Sequence, residues 1–386
     1  MATGVATVRR TAFGAGAAFL SAAALTVLPP AVGANGGGRA LESRGAPRVE
    51  LTLRAVPGVG QAPVTPANLQ RAAEIMRSRL QKLGVNGTVT VRPGSDLLVV
   101  RIEGAHVPAR VTRLLPATAG LMFFDFERDL TGPSIDANGN PVATPTLSGL
   151  LSRAEKQSGA ASRREYYLYG TTATTPKPGL IAGPTETKAQ LLRVYGGKLP
   201  AGTLVLAAPP NTIVVSCPAA NGCLGIRQGQ LSRTATYYYL LRFDPQSTTS
   251  PVPELDGSDL VRSGTHADFG QAGGPLVFLQ FNRQGAAQFL TITRREAQRG
   301  RARYDLAGKK GSYLLYVQHF AIVLDGVLET TPYIDFKQNP GGIPGPNAEM
   351  DMGNGGTLQD AKDLALALRT GTLPFQFILV SERSVP

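Results

Sequence analysis

The dipeptide Asp325-Gly326 stands between two apolar runs, and it restricts the fold more than any other short feature of the chain. The run 319–324 precedes it and the run 327–334, which includes Pro332, follows. Such a pair favours a two-residue hairpin, because both central positions of the turn take positive φ. After a glycine-rich loop the chain continues through residues 357–380. There, Thr357 and Asp360 have the spacing of a capping box, and Ala361, Leu364, Ala365 and Leu368 fall on one helical face. Gly371 is placed to end that helix in a left-handed conformation, and a last strand follows. The spacing thus predicts strand, turn, strand, loop, capped helix and strand, a unit around which the rest of the chain can be placed.

The chain has 386 residues, enough for one large domain or several smaller ones. Its 45 glycines and 29 prolines imply many turns and a long irregular segment, while 42% hydrophobic residues supply a core. The formal charge of +12 favours anionic partners. Arginine is scattered, however, and no basic stripe with interleaved aromatics occurs, so nucleic acid is not expected as a partner. A membrane surface remains compatible with the charge.

Residues 1–34 have the layout of a targeting segment: Arg9-Arg10, an apolar stretch over 11–28, Pro29-Pro30 and a small-residue end at Ala34. The reading is a cleaved signal peptide or, as the alternative, an uncleaved N-terminal anchor. Either places the remainder outside the cytoplasm, secreted or tethered to the plasma membrane. Residues 35–47 read as a flexible leader.

Alternation at Val49, Leu51 and Leu53 marks the first strand. Thr65-Pro66 opens a helix whose apolar face carries Leu69, Ala72, Ala73, Met76, Leu80 and Leu83, with Gly84 as its stop. Strands follow at 88–92 and 97–102, a short helix at 108–115 and a strand at 121–126, with Asp125 and Glu127 on a solvated face. This order is one half of an open-faced α/β sandwich, and the unit at 319–380 echoes it. Residues 128–250 break the pattern. Within 131–184 only 164–169 resembles a strand, and 203–208, 212–217 and 236–243 are short and β-prone, which reads as an inserted lobe. From 251 regularity returns, with a strand at 275–281, a helix capped by Asn282 and a basic loop over 300–311.

Cys217 and Cys223 are the only cysteines. In an exported chain they are expected to form a local disulfide, since neither their spacing nor a nearby histidine favours a metal or redox pair. His106, His266 and His319 lie in unrelated segments, and His319 reads as a hydrogen-bonded structural residue. No nucleophile elbow, phosphate loop or dinucleotide fingerprint is present. Asp325 reads as a turn residue rather than a catalytic acid. No catalytic residue, cofactor or metal site is expected, and the chain is not read as an enzyme.

Several segments together resemble the first periplasmic region of the SecD protein-export membrane subunit family. They are residues 65–84 with Arg77-Ser-Arg79-Leu-Gln-Lys-Leu-Gly-Val85, the strand 121–124, residues 277–289, Ile322-Val-Leu-Asp325-Gly326 with Pro332, and residues 361–374 ending in Gly371-Thr-Leu-Pro374. The family's early Gly-x-Asp-Leu-x-Gly-Gly stretch is absent from 43–53. The resemblance implies an α+β fold: a ferredoxin-like α/β sandwich base made of two halves, with an inserted β-rich lobe or head. The corresponding divisions are 48–127 for the first half of the base, 128–250 for the lobe, and 251–386 for the head and the second half. Asp325, Gly326, Pro332, Gly371 and Pro374 are the structural motif residues it points to. The implied function is assistance to protein export without catalysis, by binding unfolded secretory polypeptide or SecF-like translocase membrane subunits. A free-standing envelope scaffold or ligand-binding protein on the same fold is the alternative. Since the family's membrane helices follow Gly-x-Leu-Pro, the sequence as it stands is not expected to use a proton gradient by itself.

Overall fold

Local rules set the first α/β unit. In the computed structural model, which describes residues 48–385 apart from 57–63, 159–163, 171–178, 194, 228, 230–231, 233, 271–272 and 353–355, the chain enters as β1 (Arg48–Val56). Helix α1 (Pro66–Lys82) starts where the Thr65 hydroxyl accepts the Asn68 amide at 3.2 Å, with Pro66 in the first turn. Its stop is Gly84 at φ 69°, a value that costs glycine nothing. The antiparallel strands β2 (Gly87–Val91) and β3 (Leu97–Glu103) follow, then α2 (Ala109–Leu114), β4 (Leu121–Asp125) and the single turn α3 (Phe126–Asp129). The signal segment and the leader expected over 1–47 lie outside the described residues.

The next part of the chain contains α4 (Leu147–Ser158), β5 (Glu165–Gly170), β6 (Gly179–Thr185), α5 (Lys188–Arg193), β7 (Thr203–Ala208), β8 (Thr212–Pro218) and β9 (Thr236–Arg242). Helix α4 was not expected in this segment. Leu147, Leu150, Leu151 and Ala154 form its buried stripe against Tyr167 and Leu240, enough to hold a helix in a stretch poor in other apolar residues. The chain then runs through β10 (Leu255–Asp256), β11 (His266–Phe269), β12 (Pro275–Gln280), α6 (Arg283–Leu306), β13 (Gln318–Leu324), β14 (Val327–Thr330), β15 (Tyr333–Ile334), β16 (Asn347–Asp351), α7 (Leu358–Thr370) and β17 (Gln376–Val385).

The class is α+β, with four sheets. A base sheet has the order β17-β1-β3-β2, entirely antiparallel, and α1 covers it through Leu69, Ala72, Ala73, Met76 and Leu80. A seven-stranded head sheet runs β10-β4-β13-β14-β8-β9, with β15 continuing β14 along β13. Three-stranded sheets β11-β12-β16 and β6-β5-β7 complete the set. Strands β8 and β9 are therefore built into the head sheet, through a parallel contact of Ser216 with Val327, whereas β5, β6 and β7 form a satellite.

Two expectations change here. The unit read over 319–380 does not pack as one body. Its hairpin lies in the head sheet, and the apolar face of α7 joins the core of β12 and α6. Only β17 enters the base, paired along β1, so the end of the chain completes the first half's sheet. The basic loop expected from Gly300 is instead the last part of α6. Gly300 sustains the helix because its bare backbone lets Phe336 and the Tyr316 carbonyl approach to where a Cβ would stand, each 3.0 Å away. The Asn282 cap is as expected, accepting the Gly285 amide at 2.8 Å.

Candidate functional site

The chain crosses between base and head at two described places: the strap 115–120 joining α2 to β4, and residues 371–375 joining α7 to β17. Most of the motif residues quoted above meet there. Arg79 of α1 is fully buried, and its guanidinium reaches both crossings. Nε donates to Thr370 Oγ1 at 3.1 Å and Nη2 to the Gly371 carbonyl at 2.9 Å. Nη1 donates to the carbonyls of Leu114 at 3.0 Å and Leu115 at 3.1 Å, and to that of Ala117. A planar fork of donors suits this task, and the compact ammonium of lysine does not. Burial lowers the Arg79 pKa to about 10, with Asp325 acting in the opposite sense, so the group stays charged at neutral pH.

Asp325 holds the strap from the head side. The hairpin turn has φ 49° at Asp325 and 79° at Gly326, as an Asp-Gly turn requires. The carboxylate of Asp325 accepts the amides of Gly120 at 2.8 Å and Ala119 at 3.2 Å, and the hydroxyl of Thr118. Ala119 is held at φ 53°, which an L-residue adopts only at a cost. The crossings also bond to each other, Leu373 N to Thr118 O at 2.9 Å and Thr372 Oγ1 to Ala119 O at 3.2 Å.

Gly371 does end α7, but at φ 99° and ψ 162°, an extended glycine-only conformation rather than the left-handed helical one expected. The chain must leave along β17 instead of turning back, and a Cβ there would meet the Arg262 guanidinium at 3.0 Å. Beyond it, Pro374 separates Leu373 from Phe375, and both of these enter the base core. Pro332 lies away from the junction, where β13 exchanges β14 for β15, its carbonyl accepting the Phe320 amide at 3.1 Å. The Thr357–Asp360 capping box is reciprocal, with bonds of 3.0 and 3.1 Å. Cys217 and Cys223 are disulfide-bonded, with Cα atoms 5.9 Å apart. Their loop braces the hairpin through Asn221 Nδ2, which donates to the Leu328 carbonyl at 2.7 Å.

Beside the junction a cleft of about 580 Å³ opens between α2, α7, the β13–β14 hairpin and the disulfide loop. Leu114, Leu324, Met352 and Leu364 make it apolar, while its rim carries four carboxylates, Asp325, Glu329, Asp360 and Asp363, against one cation, Arg113, which pairs with Asp363 and lies 3.9 Å from Asp360. Strand β16, an outer strand of its sheet, runs into this wall at Met352. A second hollow of about 580 Å³, at Thr65, Arg92 and Arg193, lies away from the convergent motif residues.

A buried charge cluster at the far end of β4 overturns the solvated face expected for Asp125 and Glu127. Both are buried, because β4 pairs on both sides, the last residue of β4 faces α6, and α3 turns Glu127 toward β13. Asp125 accepts Arg295 Nε at 2.8 Å and Arg299 Nη1 at 3.0 Å. Glu254 accepts Arg295 Nη2 at 2.7 Å and Arg128 Nη1 at 3.1 Å, and Asp129 accepts Arg242 Nη2 at 2.7 Å. Glu127 accepts the backbone amide of His319 at 2.9 Å and lies 2.6 Å from its Nδ1, which gives His319 the hydrogen-bonded place expected of it.

Glu296 is fully buried in this cluster, and neither carboxyl oxygen has a hydrogen-bond partner. Burial, with Asp125 and Glu127 adding repulsion, pushes its pKa far above the carboxylate range. Burial, with Asp129 adding, raises Glu254 to about 8. Among the described residues no group of three His, Cys, Asp or Glu is placed to hold a metal ion, and no helix is long and apolar enough to cross a membrane.

Two family models match segments of the chain. Residues 237–375 match the family model for the SecDF P1 head subdomain, and residues 69–128 match that for the N-terminal P1 domain of protein translocase subunit SecDF. Protein translocase subunit SecD of Rhodothermus marinus is 25% identical over 333 residues, which is 82% of this chain and 46% of that protein. The SecD of Acidaminococcus fermentans is 34% identical over 131 residues, covering 34% of this chain and 25% of that one. The chain thus spans less than half the length of these relatives. Among solved structures, SecDF in a super-membrane-facing form superimposes with a TM-score of 0.45 at 20% identity, over 87% of this chain and 30% of that one. A second SecDF structure, described as a membrane component that enhances protein export, gives 0.43 at 19% identity, over 87% of this chain and all of that one.

Proposed function

The chain carries a periplasmic P1 region of the SecD family, and from that premise we propose that it assists protein export by holding extended, unfolded polypeptide in the cleft beside the base–head junction. The observation that carries this reading is the pairing of an apolar floor with an acidic rim at the one place where the motif residues converge. A folded protein does not enter a cleft of about 580 Å³, whereas one extended segment does. Carboxylates at the rim favour segments that combine apolar with basic side chains. The outer edge of β16 offers backbone groups to such a chain, which needs no fixed sequence to pair with them. Binding of this kind requires no catalytic group. The reading also places the region outside the cytoplasm, working with translocase membrane subunits, and assigns 48–127, 128–250 and 251–386 as its successive divisions.

Fluorescence tests the reading directly. The chain has no tryptophan, and Ala220 is an exposed residue of the disulfide loop at the cleft, so Ala220→Trp supplies a single local probe. A reduced, unfolded basic polypeptide is expected to change its emission saturably, and Glu329→Lys to weaken that binding roughly fivefold, on the order of 1 kcal/mol. The same polypeptide in its native fold should have no effect. An unchanged emission with the unfolded chain would remove the cleft as its site and favour a scaffold role.

A further inference from the structure

The tip formed by the end of α6 and the turn after it has a composition that neither the core nor the cleft accounts for. Leu306 and Leu315 are 88% and 76% exposed, the two most exposed large apolar side chains among the described residues, and Leu314 beside them is 42% exposed. A lone exposed leucine needs no explanation, but three within ten residues do. The tip is a structured element. Lys309 N bonds to Tyr304 O at 2.9 Å to close the helix, and Tyr316 Oη bonds back to the Lys310 carbonyl at 3.4 Å. Tyr304 packs on Tyr316 and Phe336, with centroids 5.5 and 5.9 Å away, and Tyr313 packs on Phe336 at 5.5 Å. The leucines therefore project from a rigid aromatic footing.

Charge selects the partner. Arg301, Lys309 and Lys310 lie in the same exposed segment as the leucines, and exposed Lys337 reaches the aromatic footing, its Nζ 4.0 Å from the Tyr313 ring centre. The one exposed carboxylate among them, Asp305, is already engaged by Arg301 at 3.0 Å and Lys309 at 3.8 Å. Exposed leucines, tyrosines with apolar bodies and polar ends, and flexible lysines form the side-chain set that sits at a bilayer interface. There the apolar groups enter the acyl boundary and the cations meet phosphate headgroups. Leu204 on β7 and Val380 on β17, by contrast, are exposed singly on strands.

We infer that this tip is a membrane-docking site: Leu306 and Leu315 insert shallowly into an anionic bilayer while Lys309, Lys310 and Lys337 bind its lipid phosphates. Two leucines and a few cations give weak, reversible adsorption rather than permanent anchoring. The inference rests on the tip alone and is independent of what the cleft binds.

The test again uses the absence of tryptophan, with Leu315→Trp in the full chain as the only indole. Its position keeps the readout local to the tip, whatever other segments do at a membrane. Phosphatidylglycerol vesicles should shift its emission to the blue, and brominated acyl chains should quench it, whereas phosphatidylcholine vesicles should leave it unchanged. Lys309→Glu with Lys310→Glu should lower the partition coefficient roughly tenfold or more, and added salt should act in the same direction. Leu306→Glu should abolish quenching by the acyl-chain bromines while the far-ultraviolet circular dichroism stays the same. No blue shift on phosphatidylglycerol overturns the proposal, and so does an equal shift on both lipids. A probe that responds to unfolded polypeptide but not to vesicles would assign the tip to protein contact instead.

Discussion

Arginine is held at both ends of β4, fully buried at Arg79 and half-buried at Arg295 and Arg299, and the two ends stabilise it by opposite means. At the start of the strand, Arg79 is satisfied by neutral acceptors: four backbone carbonyls and one hydroxyl, drawn from both base–head crossings. At its end, Arg295 and Arg299 are satisfied by carboxylates, and the cluster holds more acid than its arginines engage, since Glu296 has no partner. The first arrangement is a mechanical tie whose strength hardly depends on pH below about 10. The second retains protons that water would remove, so its stability must change with pH. Ordering by neutral groups and ordering by charge thus coexist within one strand length, the former where the two parts of the fold meet.

The largest way to break the comparison is at Arg79. Arg79→Leu leaves several buried carbonyls without donors and should cost about 4 kcal/mol in chemical denaturation, at pH 5 and pH 8 alike. Arg79→Lys should recover less than half of that loss, because one ammonium cannot span both crossings.

Glu296 sharpens the other side. For a carboxyl whose folded pKa lies above its unfolded value, the folded state binds more protons between the two. Stability is therefore greatest below the unfolded value near 4.5 and falls as pH rises toward the folded value. The slope is at most about 1.4 kcal/mol per pH unit for each such group. Glu296→Gln should consequently be more stable than the parent at pH 7.5 and nearly equal to it at pH 4.5. Glu254, raised to about 8, should leave a residual slope of the same sign in that variant. An unchanged pH profile of the melting temperature would show that Glu296 is not the proton reservoir.

A smaller effect is expected at the turn. Asp325→Asn keeps a residue that tolerates positive φ but removes the charge that accepts the Ala119 and Gly120 amides, and should cost about 1 to 2 kcal/mol. Removing the Cys217–Cys223 bridge by Cys217→Ser with Cys223→Ser should cost about 2 kcal/mol from loop closure alone. Denaturant titration checks both variants.

What could be read from the sequence follows the range of the forces involved. The caps at Thr65, Asn282 and Thr357 depend on neighbours three residues away, and their geometry follows from that spacing. The Asp-Gly turn is equally local. The partition of 319–380 among different sheets was not legible, because hairpin, helix and strand signals say nothing about which sheet each joins. Arg79 and Glu296 share a signal that was present but unused. Arg79 follows Ala72 and Met76 on the buried face of α1, and Glu296 follows Phe289 and Ile292 on that of α6. A charged residue at an apolar-stripe position marks a buried polar site, though its partners, 35 to 292 residues away for Arg79, cannot be read from periodicity. Asp125 and Glu127 misled for the complementary reason: alternation at a strand end looks the same whether the outer face meets water or, as here, arginines for Asp125 and His319 for Glu127.

Hydrogen exchange at the two crossings tests the junction most directly. In Arg79→Lys, followed by mass spectrometry under native conditions, peptides covering 115–121 and 370–375 should lose protection together, while β1 and β3 keep theirs. Unchanged exchange in both peptides, or faster exchange in only one, would contradict the tie.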